Sequence, residues 1–269
     1  MNIIPITSPA APELEMYTSL NETQLKHYFE PNGGLFISES PTVTRLALDA
    51  GYNPVSMLLS PRDIEGEARE VVTRVGDIPI YTIEDSVIDN IDGFHLIRGA
   101  QCLMERRPLA SLEEIIKNAR RVAVLDNVQN PTNVGAIVRC AAALGIDAVI
   151  VTASCSDPLY RRASRVSMGT VFQIPWTMLD KSDSENYIDI LASFGFKTAA
   201  LALDDKSISI DDPILKQTDR LALVLGSEGY GLPCDTIKKC AYTVKIPMYH
   251  GVDSLNVAAA AAVAFWQLR

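Results

Sequence analysis

The chain has 269 residues, of which 48% are hydrophobic and 21% charged, with a formal net charge of −9. That composition belongs to an ordinary globular protein with ample core and not to a disordered one, and the length allows two domains at about 100–200 residues each. The longest apolar run, Val257 to Trp266, is about ten residues, against the ~20 of a spanning helix, so no membrane segment is expected.

Five cysteines without a CxxC pair and three scattered histidines (His27, His95, His250) argue against a disulfide framework and against a metal centre. No amino-terminal stretch pairs positive charge with an apolar run. The expectation is a reduced, cytoplasmic protein without a metal. Charge is uneven along the chain. Up to Lys117 there are 9 Lys+Arg against 18 Asp+Glu, and from Asn118 onward 15 of each. All the excess acid sits in the first half, which argues against a simple basic coat for nucleic acid.

In chain order, "GLFISES" (34–40), "VSMLLS" (55–60) and "IPIYTIED" (78–85) are short, apolar and bounded by Gly, Pro and Asn, as buried strands are. "AQCLMERRP" (100–108) is a fourth strand candidate. Between them, "PTVTRLALDAG" opens with proline and closes with glycine, as helices do, and "DIEGEAREVVTRVG" reads as a second helix. "PLASLEEIIKNAR" (108–120) reads as a helical linker. The second half offers strands at 121–128, 147–154, 197–203, 221–226 and 243–248, with a closing helix "SLNVAAAAAVAFWQLR". Continuously apolar strands alternating with helices predict a parallel sheet covered on both faces. The expected division is 1–117 and 118–269.

Ligands in such sheets bind at the carboxyl ends of strands, and three unusual stretches begin there. The first is Asn133-x-Gly135-x-x-x-Arg139, after the strand at 121–128. A proline-initiated turn with Asn133 as helix N-cap accounts for its start. It does not account for Arg139, because a lone guanidinium on an apolar helix is costly to bury. An arginine reaching into a polar site, across a subunit contact, would. The second stretch, "VLGSEGYGL" (224–232), is neither GxGxxG nor the GxxxxGK[ST] phosphate loop. It leaves a backbone-lined loop with one carboxylate, Glu228, suited to an uncharged or positively charged small molecule. The third, "IPMYHGVDSLNVAAAAAVAFW" (246–266), places Asp253 or Ser254 as a helix cap, with Ser254 and Asn256 flanking Leu255.

Taken together, Asn133, Gly135 and Arg139, then Gly226, Glu228, Gly229 and Gly231, then Ile246-Pro247-Met248 with Ser254-Leu255-Asn256-Val257, resemble the TrmH/SpoU RNA 2′-O-methyltransferases of the SPOUT class. "RASRVSMGTVFQIP" looks like the family's segment between the first two motifs. The similarity covers residues 119 to 269. The first half looks like the L30e-like substrate-binding domain that often precedes this catalytic domain, on element order alone.

The resemblance implies an α/β fold, a parallel-sheet catalytic domain carrying a deep trefoil knot, which is a rare exception to unknotted chains. It also implies S-adenosylmethionine as cofactor, RNA as substrate (ribosomal favoured over transfer RNA) and a homodimer with active sites at the interface. Leu225, Gly226, Ile246, Met248 and Leu255 would surround the cofactor. Arg139 is the family's proposed base, but a guanidinium holds its proton tightly. Its expected role is therefore to stabilise the developing alkoxide and grip the adjacent phosphate. Asn133 and Glu228 would hold Arg139 or the ribose, and Ser254 and Asn256 would line the methyl-transfer pocket. Two departures stand out: the glycine usual two residues after Pro-Met comes one place later, as Gly251 after His250, and Ala258 stands where serine is frequent. Two readings stand for Arg98 with Arg106 and Arg107, and for Arg161 and Arg162 with Arg165: local patches that grip RNA phosphates, or ordinary solvated faces. The rival reading is a cofactor-binding RNA or ribosome-associated factor that does not methylate.

Overall fold

The computed structural model describes residues 1–91, 96, 99–204 and 206–269, so His95 and Arg98 lie outside the described residues. The chain divides into two compact units: Met1–Pro108 with Leu159–Gln173, and Leu109–Pro158 with Ile174–Arg269. The first boundary thus falls nine residues earlier than the linker pattern suggests. The segment 159–173, which follows the first motif in sequence, packs within the first unit.

In the first unit, β1 (Asn2–Ile6), β2 (Leu35–Glu39), β3 (Pro54–Leu59), β4 (Pro79–Ile83) and β5 (Ala100–Glu105) form one sheet in the order β1-β4-β3-β5-β2. β5 runs antiparallel to both β2 and β3, and the other pairs are parallel. β2 to β5 lie where the apolar runs place them. β1 is an addition: it is apolar in sequence (NIIPI) but exposed along most of its length at the sheet edge, and Pro5 interrupts its run. The helix Pro41–Asp49 starts at the expected proline, whereas of "DIEGEAREVVTRVG" only Arg69–Arg74 is helical. Leu14, Tyr17, Leu25 and Leu58 fill one core, and the Tyr17 hydroxyl meets Ser56 Oγ at 2.7 Å.

The segment 159–173 is built into this unit by specific contacts. Phe172 packs on Tyr52, with ring centroids 5.2 Å apart, and Gly169 (φ 80°) lies so close to Leu46 that a Cβ would stand 2.7 Å from its Cδ1. The short helix Arg161–Val166 delivers two ion pairs. Arg161 lies 3.5 Å from Glu22 and also donates to Tyr17 O (2.8 Å), while Arg165 meets Glu39 at 2.5 Å. Burial pushes the Glu22 carboxyl up, and Arg161 partly offsets it.

In the second unit all pairs are parallel. β6 (Arg121–Leu125), β7 (Ala148–Val151), β8 (Trp176–Met178), β9 (Lys197–Leu201), β10 (Ile208–Ser209), β11 (Leu221–Leu225) and β12 (Tyr242–Lys245) take the order β10-β12-β9-β11-β6-β7-β8. The five expected strands form the centre. The two edge strands, β8 and β10, have three and two residues and are too short to show a period. Val124, Ile150, Leu191, Val224 and Phe196 are among the residues that close the core. The helices Pro131–Ala143 and Val257–Leu268 pack on each other. Arg121 Nε donates to Leu268 O (3.0 Å), tying the end of the last helix to the start of β6. No described helix is long and apolar enough to cross a membrane.

Candidate active site

Beyond β6 the chain enters the helix Pro131–Ala143 through Asn130-Pro131. Asn130 Oδ1 accepts from Thr132 N (2.9 Å), and Pro131 occupies the first helical turn. Asn130 is therefore the cap, and Asn133 is not. Proline at the first helical position sets the start three residues earlier, because its fixed φ is already helical and its missing N–H is not needed there. Asn133 sits inside the helix, free to use its side chain elsewhere. The same helix buries Val134, Gly135, Ile137, Val138 and Ala141. Arg139 falls on the opposite side and is exposed, so the helix spends no charge in its core.

The second motif follows β11. Ser227 N donates to Gly231 O (3.1 Å) and Gly231 N to Ser227 O (3.0 Å), closing a loop with Glu228, Gly229 and Tyr230 at its tip. Gly231 has a φ of 65°, which only glycine adopts freely. Gly226 has no room for a side chain: a Cβ would lie 2.5 Å from Gly231 C and 2.6 Å from Leu232 N. Asp126, at the end of β6, donates its N–H to Leu225 O (2.8 Å) and accepts from the Tyr187 hydroxyl (3.0 Å). Burial pushes the Asp126 carboxyl up. The sequence reading missed this support under the loop, since a helix residue 61 positions away supplies it.

The third motif leaves β12 at Lys245, so Ile246, Pro247 and Met248 lie beyond the strand. His250 (φ 60°) and Gly251 (φ 71°) are both left-handed, which shows how the turn absorbs the displaced glycine. Asn256, and neither Asp253 nor Ser254, caps the last helix, accepting from Ala258 N at 3.0 Å. The cap needs only the backbone of Ala258, so a serine hydroxyl is not required for it.

The second and third of these loops surround one cavity of about 370 Å³, within the size range of small-molecule sites. All five residues expected around a cofactor, Leu225, Gly226, Ile246, Met248 and Leu255, line it, together with Glu228, Ser254 and Asn256. The strand ends Leu201 and Val244 and the charged Lys245 and Asp253 also contribute; of these the motifs named Asp253 alone, and as a helix cap. Asn133 does not reach the cavity. It lies 7% exposed behind it, donating from Nδ2 to Glu228 Oε1 and accepting on Oδ1 from Asn256 Nδ2 (3.2 Å). Arg139 is likewise absent from the lining of its own chain's cavity, and it makes no hydrogen bond or salt bridge to a described residue. Among the described residues no group of three or more His, Cys, Asp or Glu is placed to hold a metal.

The expected basic patches are not free surfaces. Arg161 and Arg165 serve the ion pairs described above, and Arg162 is also engaged. Arg106 Nε donates to Leu35 O (3.1 Å), and Arg107 donates to Ala50 O (2.5 Å) while lying over the Tyr52 ring. Local acceptors claim these cations, which composition alone does not reveal.

Comparison with known proteins agrees with this arrangement. An uncharacterized tRNA/rRNA methyltransferase of Mycobacterium tuberculosis is 33% identical over 268 residues, 99% of this chain and 92% of its own. The Bacillus subtilis 23S rRNA (guanosine(2553)-2′-O)-methyltransferase RlmP is 33% identical over 157 residues, covering 58% of this chain and 61% of its own. An AdoMet-bound rRNA methyltransferase from Sinorhizobium meliloti superposes with a TM-score of 0.81 at 25% identity, covering 99% of this chain and 97% of that one. Residues 120–266, which carry the three loops and the cavity, match the family described as the SpoU rRNA methylases, and the chain belongs to that family.

Proposed function

We propose that this protein transfers the methyl group of S-adenosylmethionine to a ribose 2′-hydroxyl of RNA. The observation that carries the reading is the convergence of the loops after β9, β11 and β12 on one cavity containing a carboxylate, Glu228, and the polar pair Ser254 and Asn256. The cavity suits the cofactor chemically. Leu201, Leu225, Val244 and Ile246 offer an apolar bed for a purine, and Glu228 and Asp253 complement a cationic sulfonium and ammonium.

S-adenosylmethionine, when bound, supplies an electrophilic methyl on a sulfur that is already a good leaving group. What remains for the protein is to aim the ribose oxygen and accommodate its proton. Glu228, at the cavity wall, accepts the hydrogen bond of that hydroxyl and takes its proton as the oxygen–methyl bond forms and the methyl–sulfur bond breaks. Arg139 stabilises the oxygen as negative charge develops and grips the neighbouring phosphate. Since Arg139 does not line its own chain's cavity, we assign it to the cavity of a second copy, in a homodimer. The exposed Val263 and Trp266 on the last helix offer apolar surface for such a contact. The trefoil knot belongs to the same reading, with the loops 226–232 and 246–256 as its walls. The first unit, with 11 Lys+Arg against 16 Asp+Glu, is assigned to substrate recognition as an L30e-like module. Ribosomal RNA is favoured as acceptor on the family's description, and the cytoplasm as the compartment.

Gly226→Ala is expected to weaken S-adenosylhomocysteine binding at least about tenfold, because the new methyl meets backbone that cannot yield without opening the loop. Calorimetric titration checks this. The function itself is tested by incubating the protein with methyl-labelled cofactor and RNA, then digesting to nucleosides. Label in 2′-O-methylnucleosides supports the assignment; label confined to bases, or none, overturns it.

A further inference from the structure

The polar side chains beside the cavity are connected in series, and the series has a direction. Ala258 N–H is one of the free donors at the start of the last helix, and a backbone N–H can only donate. It fixes Asn256 Oδ1 as the atom facing it, at 3.0 Å. Asn256 therefore presents its donor, Nδ2, to Asn133, whose Oδ1 accepts at 3.2 Å. Only Asn133 Nδ2 then remains to face Glu228, which accepts on Oε1. Turning either amide around would set two oxygens or two N–H groups against each other. The helix start thus dictates both amide orientations.

The three members differ in access. Glu228 and Asn256 line the cavity, whereas Asn133 is 7% exposed and does not. We propose that Asn133 and Asn256 are positioning residues forming a one-way relay, through which the cap of the last helix aims the Glu228 carboxylate at the cavity. The purpose of that aim rests on the methyl-transfer reading. The relay itself is a property of the folded chain, and it joins three segments separated by 95 and 123 positions in sequence.

Thermal unfolding of Asn256→Asp, Glu228→Gln and the double variant, without RNA or cofactor, tests it. Asn256→Asp still caps Ala258, since aspartate is as good a cap as asparagine, but it has no donor for Asn133. Asn133 must turn, which brings its oxygen against Glu228, and melting is expected about 3 °C lower. Glu228→Gln still accepts from Asn133, and its melting should stay within about 1 °C of the parent. In the double variant the new amide at position 228 donates to the turned Asn133, which donates to the new carboxylate at 256. The relay then runs backward with every partner satisfied, and most of the lost stability returns.

A double variant whose shift equals the sum of the single shifts overturns the relay, as does Asn256→Asp melting with the parent. Should Asn256→Asp fail to fold, recovery of folded protein on adding Glu228→Gln supports the relay, and no recovery overturns it. A parent protein that transfers no methyl group to RNA would sink the functional reading while leaving this melting result to stand or fall alone.

Discussion

Arg139→Ala is expected to lower methyl transfer about 10³-fold, the scale of removing a preorganised charge from a developing oxyanion. Folding and S-adenosylhomocysteine affinity should be preserved. The side chain is exposed and makes no hydrogen bond or salt bridge to a described residue, so its removal leaves no cavity and strands no partner. Single-turnover rates with saturating RNA measure the chemical step. Mixing variants tests where the group acts. If Arg139 serves the neighbouring copy, a dimer of one Arg139→Ala chain and one Gly226→Ala chain contains one complete site, and at cofactor concentrations too low to fill the Gly226→Ala site, mixing raises activity above the sum of the two variants alone. If Arg139 serves its own chain, the mixed dimer has no complete site and activity stays at that sum.

Arg165→Ala is expected to destabilise the first unit by about 3–5 kcal/mol, the cost of leaving a buried carboxylate without its counter-ion. Glu39 has 7% and Arg165 18% of its side chain exposed, so water cannot replace the lost partner cheaply. Gln101 Nε2, the other donor to Glu39, is 3.4 Å away and gives a weaker bond. Both tryptophans, Trp176 and Trp266, lie in the second unit. Denaturation followed by tryptophan fluorescence should therefore change little, while circular dichroism shows an earlier transition. Replacing the pair together, as Glu39→Leu with Arg165→Met, should recover much of the loss. Coincident unfolding of Arg165→Ala and parent by both probes would refute the assignment.

The central strands of both units were legible because continuous apolar runs bounded by turn residues have few other solutions in a parallel sheet. β1 was not, because Pro5 breaks its short apolar run, and neither were β8 and β10, which are too short to carry a pattern. Cap positions failed for a local reason: of two asparagines near Pro131 the nearer one caps, and of the three polar residues Asp253, Ser254 and Asn256 before Val257 the last one does. The second unit's five cavity residues were legible through the family resemblance, since backbone-lined loops tolerate little change. Contacts between distant segments were hidden. Nothing in "YRRASRV" announces that Arg161 and Arg165 pair with Glu22 and Glu39, and their apparent basic patch dissolves once those partners are placed. The link from Asn133 to Asn256 is equally remote in sequence.

The most direct measurement compares 2′-O-methylation across all RNA from a deletion strain, its parent, and the deletion strain carrying either the intact chain or Arg139→Ala. The account predicts at least one ribose that loses its methyl group on deletion, regains it with the intact chain, and stays unmodified with Arg139→Ala. Identical ribose methylation in parent and deletion strain, or full restoration by Arg139→Ala, would contradict it.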